Sequence, residues 1–152
     1  MCGLVGVISK YDKSYEDIKK HFLKYAIAVD TLRGEDSTGV MRMNEKGKVE
    51  TNHSILPGIQ YVSTKSFDNI KTDSWAIFGH NRAATRGSVS RENAHPFTFG
   101  DVTLMHNGTL FAGGRSLPTF DVNLEVDSMQ IALFLHFEGR VLCRFPTQQF
   151  PQ

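Results

Sequence analysis

Met1-Cys2-Gly3-Leu4-Val5-Gly6-Val7-Ile8-Ser9 opens the chain with a short apolar run, and the reading of this run decides the fold. Small and β-branched apolar side chains alternate over a span too short for a helix, which predicts a buried strand starting at the first residues. The N-terminus is therefore expected inside a sheet, with Cys2 at its head. Lys10, Asp12 and Lys13 end the run early and no basic segment precedes it, so it reads as neither a signal peptide nor a membrane span. A cytoplasmic protein is expected.

Outward from this strand, Ser14 followed by Asp17 offers a helix cap. Ile18, Phe22, Tyr25, Ile27 and Val29 then recur at helical spacing up to Arg33-Gly34, which predicts a helix over about 15–31. Residues 38–43 and 48–53 flank the polar turn Asn44-Glu45-Lys46-Gly47 and predict an antiparallel pair. The segment 58–70 is ambiguous between loop and short helix, 75–80 is a strongly apolar strand, and 102–106 is another strand that ends at Asn107-Gly108. After the glycine-rich loop 112–115, the apolar positions Met129, Ile131, Ala132, Leu133 and Leu135 predict a helix over about 126–137. Residues 139–152 carry two Phe-Pro pairs and read as an irregular tail with at most a short strand at 141–143. Residues 1–138 thus form one domain of layered α+β type.

The 152 residues carry 17 basic and 16 acidic side chains mixed along the chain, a net charge of +1. That balance gives no footprint for nucleic acid or for an anionic membrane, and points to small or neutral partners. Two cysteines, Cys2 and Cys143, supply neither a disulfide framework nor metal-ligand spacing. His80, His95 and His106 are widely spaced and read as structural, so no metal and no cofactor is expected.

Cys2 directly follows the initiator methionine, whose removal is expected before so small a side chain. A free α-amine would then sit on a thiol-bearing residue. A thiol with pKa of about 8.5 and an α-amine of about 7.7–8.0 are matched for proton transfer near neutral pH, so one residue can supply nucleophile and base. Taken alone, Cys2 reads first as a small apolar residue at a strand start, since free cysteine is commonly buried.

Other blocks follow in order: Arg33-Gly34-Glu35-Asp36-Ser37-Thr38-Gly39, Gly79-His80-Asn81-Arg82-Ala83-Ala84-Thr85-Arg86-Gly87, Asn93-Ala94-His95-Pro96-Phe97 and His106-Asn107-Gly108-Thr109-Leu110. Together with the N-terminal run they closely resemble class II glutamine amidotransferases, above all the glutaminase domain of the glucosamine-6-phosphate synthases. The resemblance covers roughly residues 2–137 and is weakest over 48–74. It implies an N-terminal-nucleophile hydrolase fold, an αββα sandwich of antiparallel sheets. It also implies a reaction in which Cys2 hydrolyses the side-chain amide of L-glutamine through a γ-glutamyl thioester, giving glutamate and ammonia.

Glutamine offers a carboxylate, an ammonium and a carboxamide, and the blocks contain an answer to each. The resemblance gives Arg82 the α-carboxylate, which its planar fork can hold bidentately, with Thr85 adding a hydroxyl donor. It gives Asp127 the α-ammonium, although an aspartate at a helix start is also a cap. Asn107 and Gly108 match oxyanion donors, the one through its side-chain N–H and the other through its backbone N–H; Asn-Gly is equally a hairpin turn. Arg33, Asp36, Ser37 and Gly39 match a supporting motif near the nucleophile, and Asp36 and Ser37 also read as ordinary loop hydrogen-bonders.

Two departures from the family pattern are visible: Ala83 replaces a frequent aromatic residue, and Arg86 stands where the synthase has histidine. The family's domain also continues with further strands beyond the aspartate-bearing helix, so a C-terminally truncated sandwich is expected, with the ammonia acceptor supplied by another protein in trans. Two rival readings remain at this point: a catalytically silent glutamine-binding module, and another N-terminal-nucleophile amidase.

Overall fold

Four antiparallel strands, β1 (Gly3–Ile8), β2 (Ser37–Met43), β3 (Val49–Ser54) and β4 (Ala76–Arg82), make the main sheet in the order β1-β4-β2-β3. They belong to a computed structural model that describes residues 1–9, 13–110 and 124–138. The expected hairpin is β2–β3: Asn44 Oδ1 accepts from the backbone N–H groups of Lys46 and Lys48, at 3.0 and 2.9 Å, and Gly47 takes the positive φ of +76°. A second sheet of two strands pairs β5 (Phe97–Phe99) with β6 (Val102–Leu104). The first of these was not anticipated, because three residues between Pro96 and Gly100 are too few to show a period.

Helix α1 (Glu16–Asp30) covers one face of the main sheet. Leu23 and Ile27 point inward to Val40 and Ile77, and Tyr61, Val62 and Phe67 complete this core. The segment 58–70 resolves into two helical turns, α2 (Gly58–Tyr61) and α3 (Lys65–Asp68), the latter capped by the Thr64 hydroxyl on the Phe67 N–H. Helix α4 (Asp127–Glu138) packs on the small sheet, where Val126 and Ala132 meet Phe97.

Three expectations are corrected. The apolar series chosen for α1 lies mostly on its outer side: Ile27 is buried, but Ile18, Phe22, Tyr25 and Val29 are exposed, while Lys19 turns inward and donates to the Ser74 carbonyl at 3.0 Å. Both faces of this helix are apolar, so spacing alone could not choose between them. The Ser14–Asp17 cap is replaced by a 3-10 turn at Lys13–Tyr15, and the N-cap residue Tyr15 makes no side-chain cap bond. Strand β1 is buried on one face only: Val5 and Val7 touch the core, whereas Leu4 and Ile8 are exposed.

The architecture is α+β with antiparallel sheets, compatible with an αββα sandwich. No helix among the described residues is long and apolar enough to cross a membrane. The glycine-rich loop 112–115, the short strand expected at 141–143 and the tail 139–152 lie outside the described residues.

Candidate active site

Strand β4 is flanked by β1 and β2, and its last residues gather the predicted site. Ser37 pairs with Arg82 across one ladder and Gly3 pairs with Asn81 across the other, so Cys2 arrives beside the end of β4 one step beyond Asn81. The antiparallel register thus brings residues 2, 37 and 82 to the same end of the sheet.

Here the Cys2 sulfur meets the next backbone unit of that chain. The Ala83 N–H donates to Cys2 Sγ at 3.3 Å, and the thiol lies 3.6 Å from the Ala83 carbonyl oxygen. Arg33 holds the other side of Cys2, donating from Nε to its carbonyl at 3.1 Å and from Nη2 to Met1 Sδ at 2.7 Å. Asp36 fixes the strand end twice: its N–H donates to the Arg82 carbonyl at 3.0 Å, and its Oδ2 accepts from the Ala84 N–H at 2.6 Å. Gly39 is needed for closeness, since a Cβ there would fall 1.6 Å from the His95 carbonyl oxygen. Arg33, Asp36, Ser37 and Gly39 do not line the cleft in front of Cys2.

That cleft is lined by Cys2, Arg82, Thr85, Gly108 and Asp127, joined by His95 and His106. Asn107 is exposed and is not among its lining residues. The cleft is narrow, with about 10 Å³ of water-accessible volume. A roomier one between β2–β3 and α3, lined by Arg42, Glu50, Asn52 and Lys71, contains none of the predicted residues.

Arg82 and Asp127, two of the charged groups in the narrow cleft, are held by the chain itself. The buried Arg82 guanidinium donates from Nη1 to the Ser88 carbonyl at 3.0 Å and from Nη2 to the Arg86 carbonyl. Burial lowers its pKa, and the charges of Cys2, Asp36, Asp127 and Glu125 act in the opposite direction. Asp127 accepts from the Leu110 N–H at 2.6 Å and the Ser128 N–H at 2.8 Å, which ties the loop after Asn107-Gly108 to the start of α4.

Sequence reasoning missed two features. Glu125 accepts from the Ser88 N–H at 3.0 Å, the Ser88 hydroxyl at 2.8 Å and the Asn93 side-chain amide at 2.7 Å. Those bonds hold its carboxyl below the usual carboxylate range and latch the 85–93 loop to the segment leading into Asp127. The second is that the three histidines converge. His80 and His95 stack with ring centroids 4.0 Å apart, His80 Nε2 donates to the His106 carbonyl at 3.1 Å, and His106 Nδ1 lies 2.9 Å from Ser128 Oγ. Burial lowers the pKa of His80 to about 4 and that of His95 well below the ordinary range, so both imidazoles are neutral. Their Nδ1 atoms, and His95 Nε2, have no hydrogen-bond partner among the described residues.

No protein-family profile matches the chain. It is 32% identical to the glutamine–fructose-6-phosphate aminotransferase (isomerizing) of Caulobacter vibrioides across 121 residues, which is 72% of this chain and 17% of that protein. The corresponding proteins of Geobacillus kaustophilus and Sulfolobus acidocaldarius are 33% and 32% identical across 112 and 115 residues, again 72% of this chain and 17% and 18% of theirs. The chain spans less than a fifth of the length of these relatives.

Proposed function

Because the chain is a homologue of the glutamine–fructose-6-phosphate aminotransferases, whose N-terminal domain is a class II glutamine amidotransferase, we propose that it performs the glutamine half-reaction of that family. One observation carries the reading. Cys2, Arg82, Thr85, Gly108 and Asp127, brought from four separate stretches of sequence, line a single cleft.

In this reading Met1 is removed, and the α-amine of Cys2 takes the thiol proton. The thiolate attacks the side-chain carboxamide carbon of glutamine. Negative charge develops on the former carbonyl oxygen, which the Gly108 N–H stabilises and toward which Asn107, exposed beside the cleft, must turn its Nδ2; each such donor contributes about 3 kcal/mol to lowering the barrier. As the tetrahedral species collapses, the C–N bond breaks and the proton held by the amine passes to the departing ammonia. Water then attacks the γ-glutamyl thioester, the amine again moving the proton, and glutamate leaves with the thiol restored.

Arg82 takes the α-carboxylate, exchanging its bonds to the Arg86 and Ser88 carbonyls for a bidentate pair, and Asp127 takes the α-ammonium. Thr85 adds a hydroxyl donor. The narrowness of the cleft fits this exchange, since the 85–93 loop that now satisfies Arg82 must shift for an amino acid to enter.

Incubation with an electrophilic glutamine analogue, followed by mass spectrometry, tests the reading. A single adduct on an N-terminal Cys2 is expected. Folded protein that forms no adduct, or that retains Met1, rejects it.

A further inference from the structure

The outer side of α1 carries an apolar stripe that the fold leaves uncovered. Tyr15, Ile18, Phe22, Tyr25, Val29 and Leu32 follow one another at intervals of three and four residues, and Ile18, Tyr25, Val29 and Leu32 are 62, 67, 67 and 88% exposed. Tyr15 and Leu32 stand in the 3-10 turns that flank the helix, and the four residues between them follow the 3-4 alternation of a coiled-coil a/d seam along α1. Leu23 and Ile27, on the other side of the helix, already pack on the sheet. The stripe therefore points away from the sheet, and no described residue covers it.

We propose that this stripe is a homodimer interface, in which α1 of two copies pair antiparallel about a two-fold axis. Three features select a second copy. First, the six side chains leave on the order of 700 Å² open, close to one partner's share of about 800 Å² in a standard interface and above the largest apolar patch of an ordinary monomer. Second, a strict 3-4 seam is self-complementary, so one axis generates every layer: Ile18 meets the second copy's Val29, and Phe22 meets its Tyr25. Third, the helix dipoles set the direction: antiparallel pairing opposes them, whereas parallel pairing would align like with like.

Sedimentation velocity on the full chain tests this. At roughly 100 µM the wild type is expected to be dimeric. Tyr25→Glu should weaken the dimer about 100-fold and Leu32→Lys about tenfold, both with unchanged circular dichroism. Leu32 is so exposed that its replacement does not endanger folding. A wild type that stays monomeric at this concentration overturns the proposal and leaves the stripe to a different protein. A dimer that both variants leave intact overturns it too, since the interface would then lie elsewhere.

Discussion

The backbone N–H of Ala83 points at the sulfur of Cys2 from 3.3 Å. That bond fixes where the sulfur stands at the end of β4, and in the proposed reaction it is a donor aimed at the attacking atom. Proline at position 83 deletes this donor and tolerates the extended backbone of Arg82 before it. Ala83→Pro is expected to slow alkylation of Cys2 by iodoacetamide at neutral pH about tenfold, the effect of losing one hydrogen bond to the attacking sulfur. An unchanged rate across a pH series would remove the amide from the account.

Arg82→Lys keeps the charge and loses the planar fork. Its two bonds to the Ser88 and Arg86 carbonyls hold the 85–93 loop, and the same fork is proposed for the glutamine carboxylate. The variant should raise KM for glutamine by roughly 10- to 100-fold and lower unfolding stability by about 1–3 kcal/mol. Glutaminase kinetics and urea unfolding on the same preparation separate the two effects.

The Glu125 latch should act on binding more than on chemistry. Glu125→Ala frees Ser88 and Asn93 and loosens the loop that carries Thr85 and Arg86. A several-fold rise in KM with kcat changed by less than about twofold is expected, because no bond in the reaction passes through this carboxylate. A fall in kcat at constant KM would speak against a latch.

His80 and His95 make stability depend on pH. Both imidazoles titrate below their ordinary range in the folded state because they are buried, His80 near 4. The unfolded chain therefore binds more protons than the folded chain between about pH 6.5 and 4. Stability is unaffected above this window and falls as pH drops through it, by up to about 1.4 kcal/mol per pH unit for each histidine. Urea midpoints measured from pH 7.5 to 5 should show the decline, and His95→Phe should flatten it. A midpoint independent of pH would place protonated histidines in the folded state.

Much of this site was legible because its residues sit at strand ends, where short motifs retain their local meaning. Arg82 follows an apolar run, Asp36-Ser37 precedes one and Cys2 opens one, so three strand predictions already place them at boundaries. What sequence could not supply were relations between distant segments. Nothing local links Glu125 to Ser88, 37 residues away, and widely spaced histidines read as separate until the close approach over Gly39 sets His95 on His80. The orientation of α1 was hidden for another reason: a helix with two apolar faces gives the same period whichever one is buried.

Among the described residues β1 has a single neighbour, β4. The segment bearing the proposed nucleophile thus takes its position from the strand that also bears Arg82. Twisting of the sheet would displace thiol and guanidinium in common mode, so the gauge between the proposed attacking atom and the proposed substrate anchor is set within one short stretch of backbone pairing.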